Sequence, residues 1–167
     1  MKITKNFLPK DQYNFIKTEL HSDVFPWYWN DYSVTPDTQP QFTHNLYDNY
    51  GRDVSKCFRR SDHLPILEPI INILNPLLIF RIKVNCNPQT SSIIETGMHQ
   101  DLKDERFVSS VLFLDTCDGY LKLKNNDLIN SEDNKLVTFK SNILHTGSTT
   151  TNAKRRIVLS IIYLPTL

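Results

Sequence analysis

From Leu77 to the C-terminus, the chain consists of short apolar runs separated by turn-forming residues such as Asn87-Pro88 and Asp118-Gly119. Runs of this length are typical of β-strands, and the turn residues between them predict direct antiparallel connections. The predicted strands span residues 77–86, 108–114, 120–123, 135–139 and 156–164. A chain of many short antiparallel strands must protect its sheet edges, which favours a sandwich or a jelly roll.

The first 76 residues follow a different pattern, which combines helical periodicity with an aromatic segment. Apolar residues at helical spacing predict an amphipathic helix over 9–21. Aromatic and β-branched side chains predict an extended segment over 24–34. The remaining predicted elements are a strand over 42–47, a short helix over 53–59 and a second helix over 65–74. Pro69 fits that second helix only near its start or at a kink.

Helices followed by many strands define an α+β chain that is mainly β. At 167 residues the chain has the length of one domain. We therefore expect a single domain over 1–167. In it, residues 1–76 form a helical and extended support, and residues 77–167 form the core jelly roll with the functional site.

Charge and cysteine usage exclude several classes of protein. Nineteen Lys and Arg against eighteen Asp and Glu give a net charge of +1, which argues against a nucleic-acid coat or a polybasic membrane binder. The three cysteines are widely spaced and include no CxxC pair, so neither a zinc knuckle nor a disulfide framework is indicated. The N-terminus has no signal-peptide pattern and no apolar run approaches ~20 residues, so we expect a cytoplasmic protein without a membrane partner.

One pair of residues in the β half has the types and spacing of metal ligands. His99 and Asp101 are two positions apart, and on a strand residues i and i+2 point the same way. With His145 from a neighbouring strand, they make a 2-His-1-carboxylate set. This is the ligand set of non-haem Fe(II) oxygenases.

The other three histidines lack this arrangement. His21 precedes Asp23 at the same spacing, but at the end of a predicted helix, where i and i+2 do not share a face. We interpret His21 as a capping or solvated surface residue. His44 and His63 have no acidic partner on the same face and are interpreted as structural or surface histidines.

Arg156 begins the last predicted strand, which is otherwise strongly apolar. A guanidinium that enters a buried strand is costly unless it meets an anion, and a carboxylate binds a guanidinium through two hydrogen bonds. Strand alternation places Ser160 on the same face as Arg156, and places Arg155 on the opposite face. The pattern predicts an anion site at Arg156 and Ser160; the alternative is that both arginines mark the solvated entrance of the strand.

The pattern His99-x-Asp101, His145 and Arg156-x-x-x-Ser160 resembles the Fe(II)/2-oxoglutarate-dependent oxygenase superfamily. The likeness is to prolyl-4-hydroxylase-like members, in particular the small ones encoded by phages. It implies a double-stranded β-helix, a form of jelly roll, with supporting N-terminal helices. It implies that His99, Asp101 and His145 hold Fe(II). It also implies that Arg156, helped by Ser160, holds the distal carboxylate of 2-oxoglutarate.

Two positions depart from the pattern of the prolyl-hydroxylase relatives. Asn87 falls where those relatives often place a Tyr near the co-substrate, and Phe113 occupies another position where they often have Tyr. Asn85 shares strand parity with Asn87, so we count both as cofactor-binding residues. Arg81 and Lys83 share this parity too and are either cavity charges or rim charges.

The resemblance implies a hydroxylase that couples the oxidation of 2-oxoglutarate by O₂, with release of succinate and CO₂, to the hydroxylation of a C–H bond. Ascorbate has a supporting role in such enzymes. A peptidyl proline is the favoured substrate, a small metabolite is an alternative, and a nucleobase is less favoured. The rival functions are a non-catalytic jelly-roll module that binds a metal or ligand or belongs to a virion, and a cupin-like metalloenzyme that does not use 2-oxoglutarate.

Three further features are predicted with less specific roles. The aromatic segment 25–32 is either a substrate platform or, as we favour, a layer that packs the helices onto the barrel. Residues 89–97 form either a mobile lid or an ordinary loop. Gly97, Gly119 and Gly147 flank the predicted site or turn its strands, which indicates backbone positions where a Cβ would not fit.

Overall fold

The computed structural model describes residues 1–36, 38–49 and 59–166, and of Arg59 only the backbone. The described helices are α1 (Lys10–His21), a 3-10 turn (Leu64–Leu67) and α2 (Glu68–Leu74). The described strands are β1 (Lys2–Thr4), β2 (Tyr28–Asn30), β3 (Gln41–Asp48), β4 (Arg59–Arg60), β5 (Pro76–Pro88), β6 (Val108–Phe113), β7 (Tyr120–Leu123), β8 (Leu128–Asn130), β9 (Lys135–Lys140), β10 (His145–Gly147) and β11 (Arg155–Pro165). The helix predicted over 53–59 lies outside the described residues except for Arg59, which begins β4. No helix in the described part of the chain is long and apolar enough to cross a membrane.

Two antiparallel sheets pack face to face. The strand order of the larger sheet is β1-β9-β6-β11-β5-β3-β2, and β4 also pairs with β3. The smaller sheet has the order β10-β7-β8. The first 76 residues therefore contribute strands to the larger sheet as well as helices. This architecture confirms the predicted α+β class with mainly β structure.

The central strands β5 and β11 separate two hydrophobic cores, because alternate residues of a strand face opposite sides of the sheet. Leu159 faces the helices and belongs to one core with Ile16 of α1. Val158 faces the smaller sheet and belongs to the other core with Phe113 and Leu121. Each fully buried aliphatic side chain contributes roughly 1.5–3 kcal/mol, so these two cores hold the layers together.

The first helix follows its sequence pattern. α1 begins directly after Pro9, and it buries Tyr13, Ile16 and Leu20, which form one stripe at helical spacing. Its bounds agree with the helix predicted over 9–21. The stripe fixes which face of α1 lies on the larger sheet.

The second predicted helix is divided at its proline. Leu64–Leu67 form a 3-10 turn, and α2 begins at Glu68 with Pro69 in its first turn. The first turn tolerates proline because its N–H groups have no partner within the helix. Asn75 ends α2 in the left-handed conformation, with a φ of 42°, and the chain then enters β5.

The last residue of α1 ties the helix to the larger sheet. His21 Nε2 lies 2.8 Å from Asp115 Oδ1, and the Ile157 N–H donates to Asp115 Oδ2 at 2.6 Å. Burial alone raises the pKa of Asp115, but the hydrogen bonds from His21 and Ile157 bring it below its usual value. The solvated-surface alternative for His21 is therefore wrong, because its ring is half-buried in this contact. The capping alternative agrees with the structure, because Nδ1 lies 2.8 Å from the Lys17 carbonyl in the last turn of the helix.

We expect Asp115→Ala to lower the free energy of unfolding by about 1–3 kcal/mol, because the buried Ile157 N–H and the His21 ring lose their acceptor. Urea denaturation at neutral pH measures the loss, and Asp23→Ala, just beyond the same helix, is the control. The pKa of Asp115 is lower in the folded protein than in the unfolded chain. Its contribution is therefore complete above the unfolded pKa of about 4 and falls as the pH drops below it. Equal stabilities of the two variants would contradict this role.

Candidate active site

A cavity between the two sheets collects residues that are far apart in the sequence. It lies against the inner faces of β5 and β11 and reaches β10 of the smaller sheet. Nine polar or charged residues named in the sequence analysis line it: Arg81, Lys83, Asn85, Asn87, His99, Asp101, His145, Arg156 and Ser160. The alternative of a rim position for Arg81 and Lys83 is therefore wrong.

The two site histidines are joined through their backbones. The His99 N–H donates to the His145 carbonyl at 2.9 Å, and the His145 N–H donates to the His99 carbonyl at 2.8 Å. This single antiparallel bridge places His99 beside the start of β10. Asp101 lies in a bend rather than on a strand, and its N–H donates to the Ser141 carbonyl at 3.0 Å. The sequence pattern predicts that His99 and Asp101 lie on one strand. Instead, the backbone hydrogen bonds of these two residues hold the H-x-D segment in place.

Both imidazoles are held in one tautomer by backbone carbonyls. Nδ1 of His99 lies 3.0 Å from the Gly97 carbonyl, and Nδ1 of His145 lies 2.9 Å from the Ile143 carbonyl. A carbonyl only accepts hydrogen bonds, so Nδ1 carries the proton and Nε2 keeps its lone pair. Burial, followed by the nearby charge of His145, lowers the pKa of His99. Its ring is therefore in the neutral form that binds metals.

Asp101 is held at both of its carboxylate oxygens. Arg81 Nη2 donates to Oδ1 at 2.9 Å, and the Ser109 hydroxyl donates to Oδ2 at 2.6 Å. Burial alone raises the pKa of Asp101, but the charge of Arg81 and the other contacts bring it below its usual value. The carboxylate is therefore ionised, and Oδ2 lies 3.7 Å from Nε2 of His145.

The three side chains fit a metal ion. The ligand atoms of His99, Asp101 and His145 all lie within 4.8 Å of one another. Two imidazole nitrogens and one carboxylate oxygen form the facial set that suits Fe(II) and leaves coordination positions open. The hydrogen bonds to both Nδ1 atoms and to the carboxylate fix these donors before a metal binds.

Arg156 lies at the end of the cavity towards β7 and the chain that follows β10. It is 1% exposed. Nη1 donates to the Ser148 carbonyl at 3.1 Å, Nη2 to the Tyr120 carbonyl at 3.1 Å, and Nε to the Ser131 hydroxyl at 3.2 Å. Burial lowers its pKa to about 10, so it remains a cation at neutral pH.

The cation of Arg156 is not neutralised by the part of the chain that the structure describes, since none of its carboxylates forms an ion pair with this residue. Three of the five guanidinium N–H groups have acceptors, which leaves two for a ligand. Arg155, one residue earlier, is exposed and donates to the His21 carbonyl. The solvated-entrance interpretation thus fits Arg155 and is wrong for Arg156.

The remaining predicted co-substrate residues lie on the strands beside Arg156. Asn87 is directly opposite Arg156 in the pairing of β5 with β11, and its buried Oδ1 has no hydrogen-bond partner among the described residues. Asn85 is opposite Val158, and Ser160 is opposite Lys83. These polar groups line the cavity together, as strand parity predicts.

Sequence reasoning missed the residues that hold Asp101. Ser109 on β6 was not singled out, and Arg81 was recognised only through its parity with Asn85 and Asn87. Neither residue has a distinctive motif. A sequence signal exists for Ser109, which lies in the Ser109-Ser110 pair at the start of an otherwise apolar strand, where a buried hydroxyl needs a partner.

The other histidines are structural, as predicted for His44 and His63. His44 is buried, with Nδ1 2.8 Å from the Pro26 carbonyl and Nε2 2.9 Å from the Ser61 hydroxyl. Its ring stacks among aromatic neighbours that include Phe25 and His63. Burial lowers the pKa of His44. These contacts account for the ring without a metal.

The structure bears on the alternatives for two further segments, the aromatic segment 25–32 and the segment 89–97 before His99. Phe25 and Trp27 pack against the core on the helix side, as favoured, but Tyr28 and Trp29 are exposed. Residues 89–97 are hydrogen-bonded to the chain after β10. The Thr90 N–H donates to the Thr150 carbonyl, and the Thr96 N–H to the Gly147 carbonyl. These bonds favour an ordinary, ordered segment.

The glycines divide into required and replaceable positions. A Cβ at Gly119 would lie 2.5 Å from Cδ of Arg156 and 2.7 Å from the Thr149 carbonyl oxygen, so the arginine packs on a bare backbone. A Cβ at Gly147 would lie no closer than 3.5 Å to its neighbours, which is ordinary contact. The expectation that a Cβ would not fit is therefore correct for Gly119 and wrong for Gly147.

We expect Gly119→Ala to displace the Arg156 side chain and to destabilise the fold by about 1–3 kcal/mol through overpacking. Gly147→Ala is the matched control and should change stability by less than about 0.5 kcal/mol. Thermal and urea unfolding of the three proteins measure the difference. A stable Gly119→Ala protein would show that Arg156 does not need this gap.

The described fold matches solved structures of 2-oxoglutarate oxygenases. A prolyl hydroxylase from Trichoplax adhaerens, in complex with a hypoxia inducible factor peptide fragment, matches with a TM-score of 0.65 at 14% identity, over 98% of this chain and 83% of that chain. A Pseudomonas putida prolyl-4-hydroxylase matches with a TM-score of 0.59 at 15% identity, over 98% and 91%. A 2OG-Fe(II) oxygenase family oxidoreductase from Burkholderia pseudomallei matches with a TM-score of 0.59 at 18% identity, over 84% and 74%. No family model matches the sequence, and no curated protein matches it.

These matches confirm the predicted fold, a double-stranded β-helix of the kind found in prolyl hydroxylases and related oxygenases. A fold supports many functions, which depend on the residues of the site. The roles of His99, Asp101, His145 and Arg156 therefore rest on the geometry of this chain.

Proposed function

We propose that the protein is an Fe(II)- and 2-oxoglutarate-dependent dioxygenase that hydroxylates a C–H bond. The observation that carries this proposal is the convergence of His99, Asp101 and His145 within 4.8 Å in the same cavity as the buried cation Arg156. A metal that must share its coordination sphere with a dicarboxylate needs both features. The resemblance of the fold to solved oxygenases supports the same conclusion.

Fe(II), when bound, supplies the oxidative chemistry in which 2-oxoglutarate, O₂ and a substrate C–H bond yield succinate, CO₂ and an alcohol. One oxygen atom of O₂ enters succinate and the other enters the alcohol, so the reaction balances. His99, Asp101 and His145 would hold the metal, and these three protein ligands would leave coordination positions open for the co-substrate. Ascorbate is the reductant that keeps the metal ferrous.

Arg156 is proposed to bind the distal carboxylate of 2-oxoglutarate through its two remaining N–H groups. Ser160, Asn85 and Asn87 line the cavity between this cation and the metal ligands, where they offer hydrogen bonds to the co-substrate. The Oδ1 atom of Asn87, which has no partner among the described residues, is available to accept a hydrogen bond from the co-substrate. The amide nitrogen of Asn87 is available to donate one. The apolar side of the cavity, with Val111, Leu121 and Val158, limits access of water.

Purified protein with Fe(II), ascorbate and 2-oxoglutarate should form succinate, and we expect His99→Ala to abolish this activity because the metal loses a ligand. His63→Ala, a histidine outside the site, is the control. Arg156→Lys should raise the KM for 2-oxoglutarate about tenfold or more through the loss of bidentate binding, whereas Arg155→Ala should leave it unchanged. Mass spectrometry of succinate and circular dichroism of each variant provide the readouts.

Two results would separate this proposal from its rivals. Metal binding without succinate formation at any 2-oxoglutarate concentration would favour the non-catalytic jelly-roll module. Turnover that is independent of 2-oxoglutarate and insensitive to the Arg156→Lys substitution would favour a cupin-like metalloenzyme. Arg156, which is buried and has no ion pair with any described residue, argues against the cupin-like metalloenzyme.

A peptidyl proline is our proposed substrate class, supported by the structural match to a prolyl hydroxylase in complex with a peptide fragment. Incubation with host peptides, nucleosides and metabolites should then yield products heavier by one oxygen atom only in the peptide fraction. The products should be absent with His99→Ala. Oxygenated nucleosides or metabolites in place of peptides would contradict the peptide assignment.

A further inference from the structure

The inner face of the larger sheet is divided into an apolar half and a polar half. On the side of β6 and β9, residues such as Val111, Val137 and Phe139 form the core beneath the smaller sheet. On the side of β3 and β5, the cavity is lined by Gln41 and by the row Arg81, Lys83, Asn85 and Asn87. A purely apolar substrate would leave this row without hydrogen-bond partners, which is costly.

Lys83 is the member of this row whose charge has no counter-ion among the described residues. It lines the cavity and has neither a hydrogen bond nor an ion pair with any residue that the structure describes. Burial, and then the charge of Arg81, lower its pKa to about 8, so most of the population is still charged at neutral pH. Asp101 and Asp48 are the nearby carboxylates that favour the charged form, but neither forms an ion pair with it.

A buried lysine elsewhere in the fold shows how a structural ammonium is paired. Lys135 is 7% exposed, and its Nζ lies 2.9 Å from a carboxylate oxygen of Glu132 and donates to the Asn130 carbonyl at 2.8 Å. Lys83 lacks any such pairing. An unpaired ammonium inside a protein is destabilising, so its retention in the cavity points to a ligand.

Two buried polar atoms beside Lys83 also lack partners among the described residues. Asn45 is directly opposite Lys83 in the pairing of β3 with β5, and its buried Oδ1 accepts no hydrogen bond in the described structure. Ser160 is directly opposite Lys83 on β11. The Nε of Arg81, two residues away, is likewise buried without an acceptor. These groups form one row across the sheet beside the proposed metal ligands.

The charge balance of the cavity favours an additional anion. Its lining carries three cations, Arg81, Lys83 and Arg156, against one carboxylate, Asp101. A divalent metal and the doubly negative co-substrate of the proposed function cancel each other, so the lining remains positively charged. In the strand register, Lys83 lies directly opposite Ser160, which is four residues or roughly 13 Å along β11 from Arg156. Arg156 and Lys83 are therefore on opposite sides of the position proposed for the co-substrate.

We propose that Lys83 is a specificity-determining residue that pairs with an anionic group, a carboxylate or a phosphate, carried by the substrate itself. This inference rests on the proposed function and narrows its substrate to an anionic molecule or an acidic peptide. The carboxylate of 2-oxoglutarate next to the metal has the same chemistry and is the competing source of the anion. The test below separates the two sources.

The probes are inorganic phosphate and acetate, added to protein loaded with redox-inactive Mn(II) and saturated with 2-oxoglutarate. Calorimetry and the Mn(II)-induced relaxation of the ³¹P signal measure binding near the metal. We expect saturable binding at millimolar concentrations of at least one probe. Lys83→Met should weaken it about tenfold or more, while Lys83→Arg keeps it. Lys124→Met, which removes an exposed lysine, is the matched control for net charge.

Folding provides a second readout. Because Lys83→Met removes a half-buried charge that has no counter-ion among the described residues, its melting temperature without anions should equal or exceed that of the wild type. Phosphate should then raise the melting temperature of the wild type and not that of Lys83→Met. A lower melting temperature for Lys83→Met would assign the ammonium a structural role and overturn the proposal.

Three binding results would also overturn it. They are the absence of saturable binding of both probes by the wild type, equal binding by Lys83→Met, and a tenfold loss of 2-oxoglutarate affinity in Lys83→Met, which would assign Lys83 to the co-substrate. Failure of the proposed function is recognised separately, since the Mn(II)-loaded protein would then not bind 2-oxoglutarate, or the Fe(II)-loaded protein would form no succinate from it. Phosphate calorimetry on the protein without metal or co-substrate still tests Lys83 in that case.

Discussion

The guanidinium of Arg156 is the contact on which the arrangement of the two sheets depends. It arises from the larger sheet and donates to the carbonyls of Tyr120 and Ser148, on and beside strands of the smaller sheet. Burial of a charged group to this extent is costly, and the three hydrogen bonds of the guanidinium offset part of that cost. The Gly119 backbone must stay bare to admit the side chain. One residue thereby fixes the spacing of the sheets and leaves two N–H groups for an anion between them.

The same period-two alternation separates structure from chemistry along the central strands. On β11, Ile157, Leu159 and Ile161 pack towards the helices, and Arg156, Val158 and Ser160 face the cavity. β5 repeats the pattern, with Val84 and Cys86 on the helix side and Lys83, Asn85 and Asn87 on the cavity side. A shift of one residue in register would bury the polar set among the helices. The helix-side core therefore protects the register that positions the site.

The sequence was sufficient for features that depend on local pattern. The alternation of Arg156 and Ser160, the stripe of α1 and the longer strands all follow from residue periodicity, and the structure confirms them. Short strands such as β1 and β8 were missed because three residues carry too little pattern, and β1 pairs with β9, far along the chain. The contact of His21 with Asp115 was missed for a similar reason, since the two residues are 94 positions apart. The bend at Asp101 is likewise held by the distant residues Arg81, Ser109 and Ser141.

The candidate metal site is organised by the protein before any metal binds. Two carbonyls fix the tautomer of both histidines, and Arg81 with Ser109 fixes the ionised carboxylate of Asp101. Little rearrangement or proton loss is then required when the ligands meet a divalent ion. Arg81 also offsets part of the negative charge of Asp101, which attracts the ion. It therefore lowers the affinity of the site for the metal while it holds the carboxylate in place. Because Arg81 and Lys83 lie on the same face of β5, one strand supplies both the group that orients a metal ligand and the cation left open to an incoming anion.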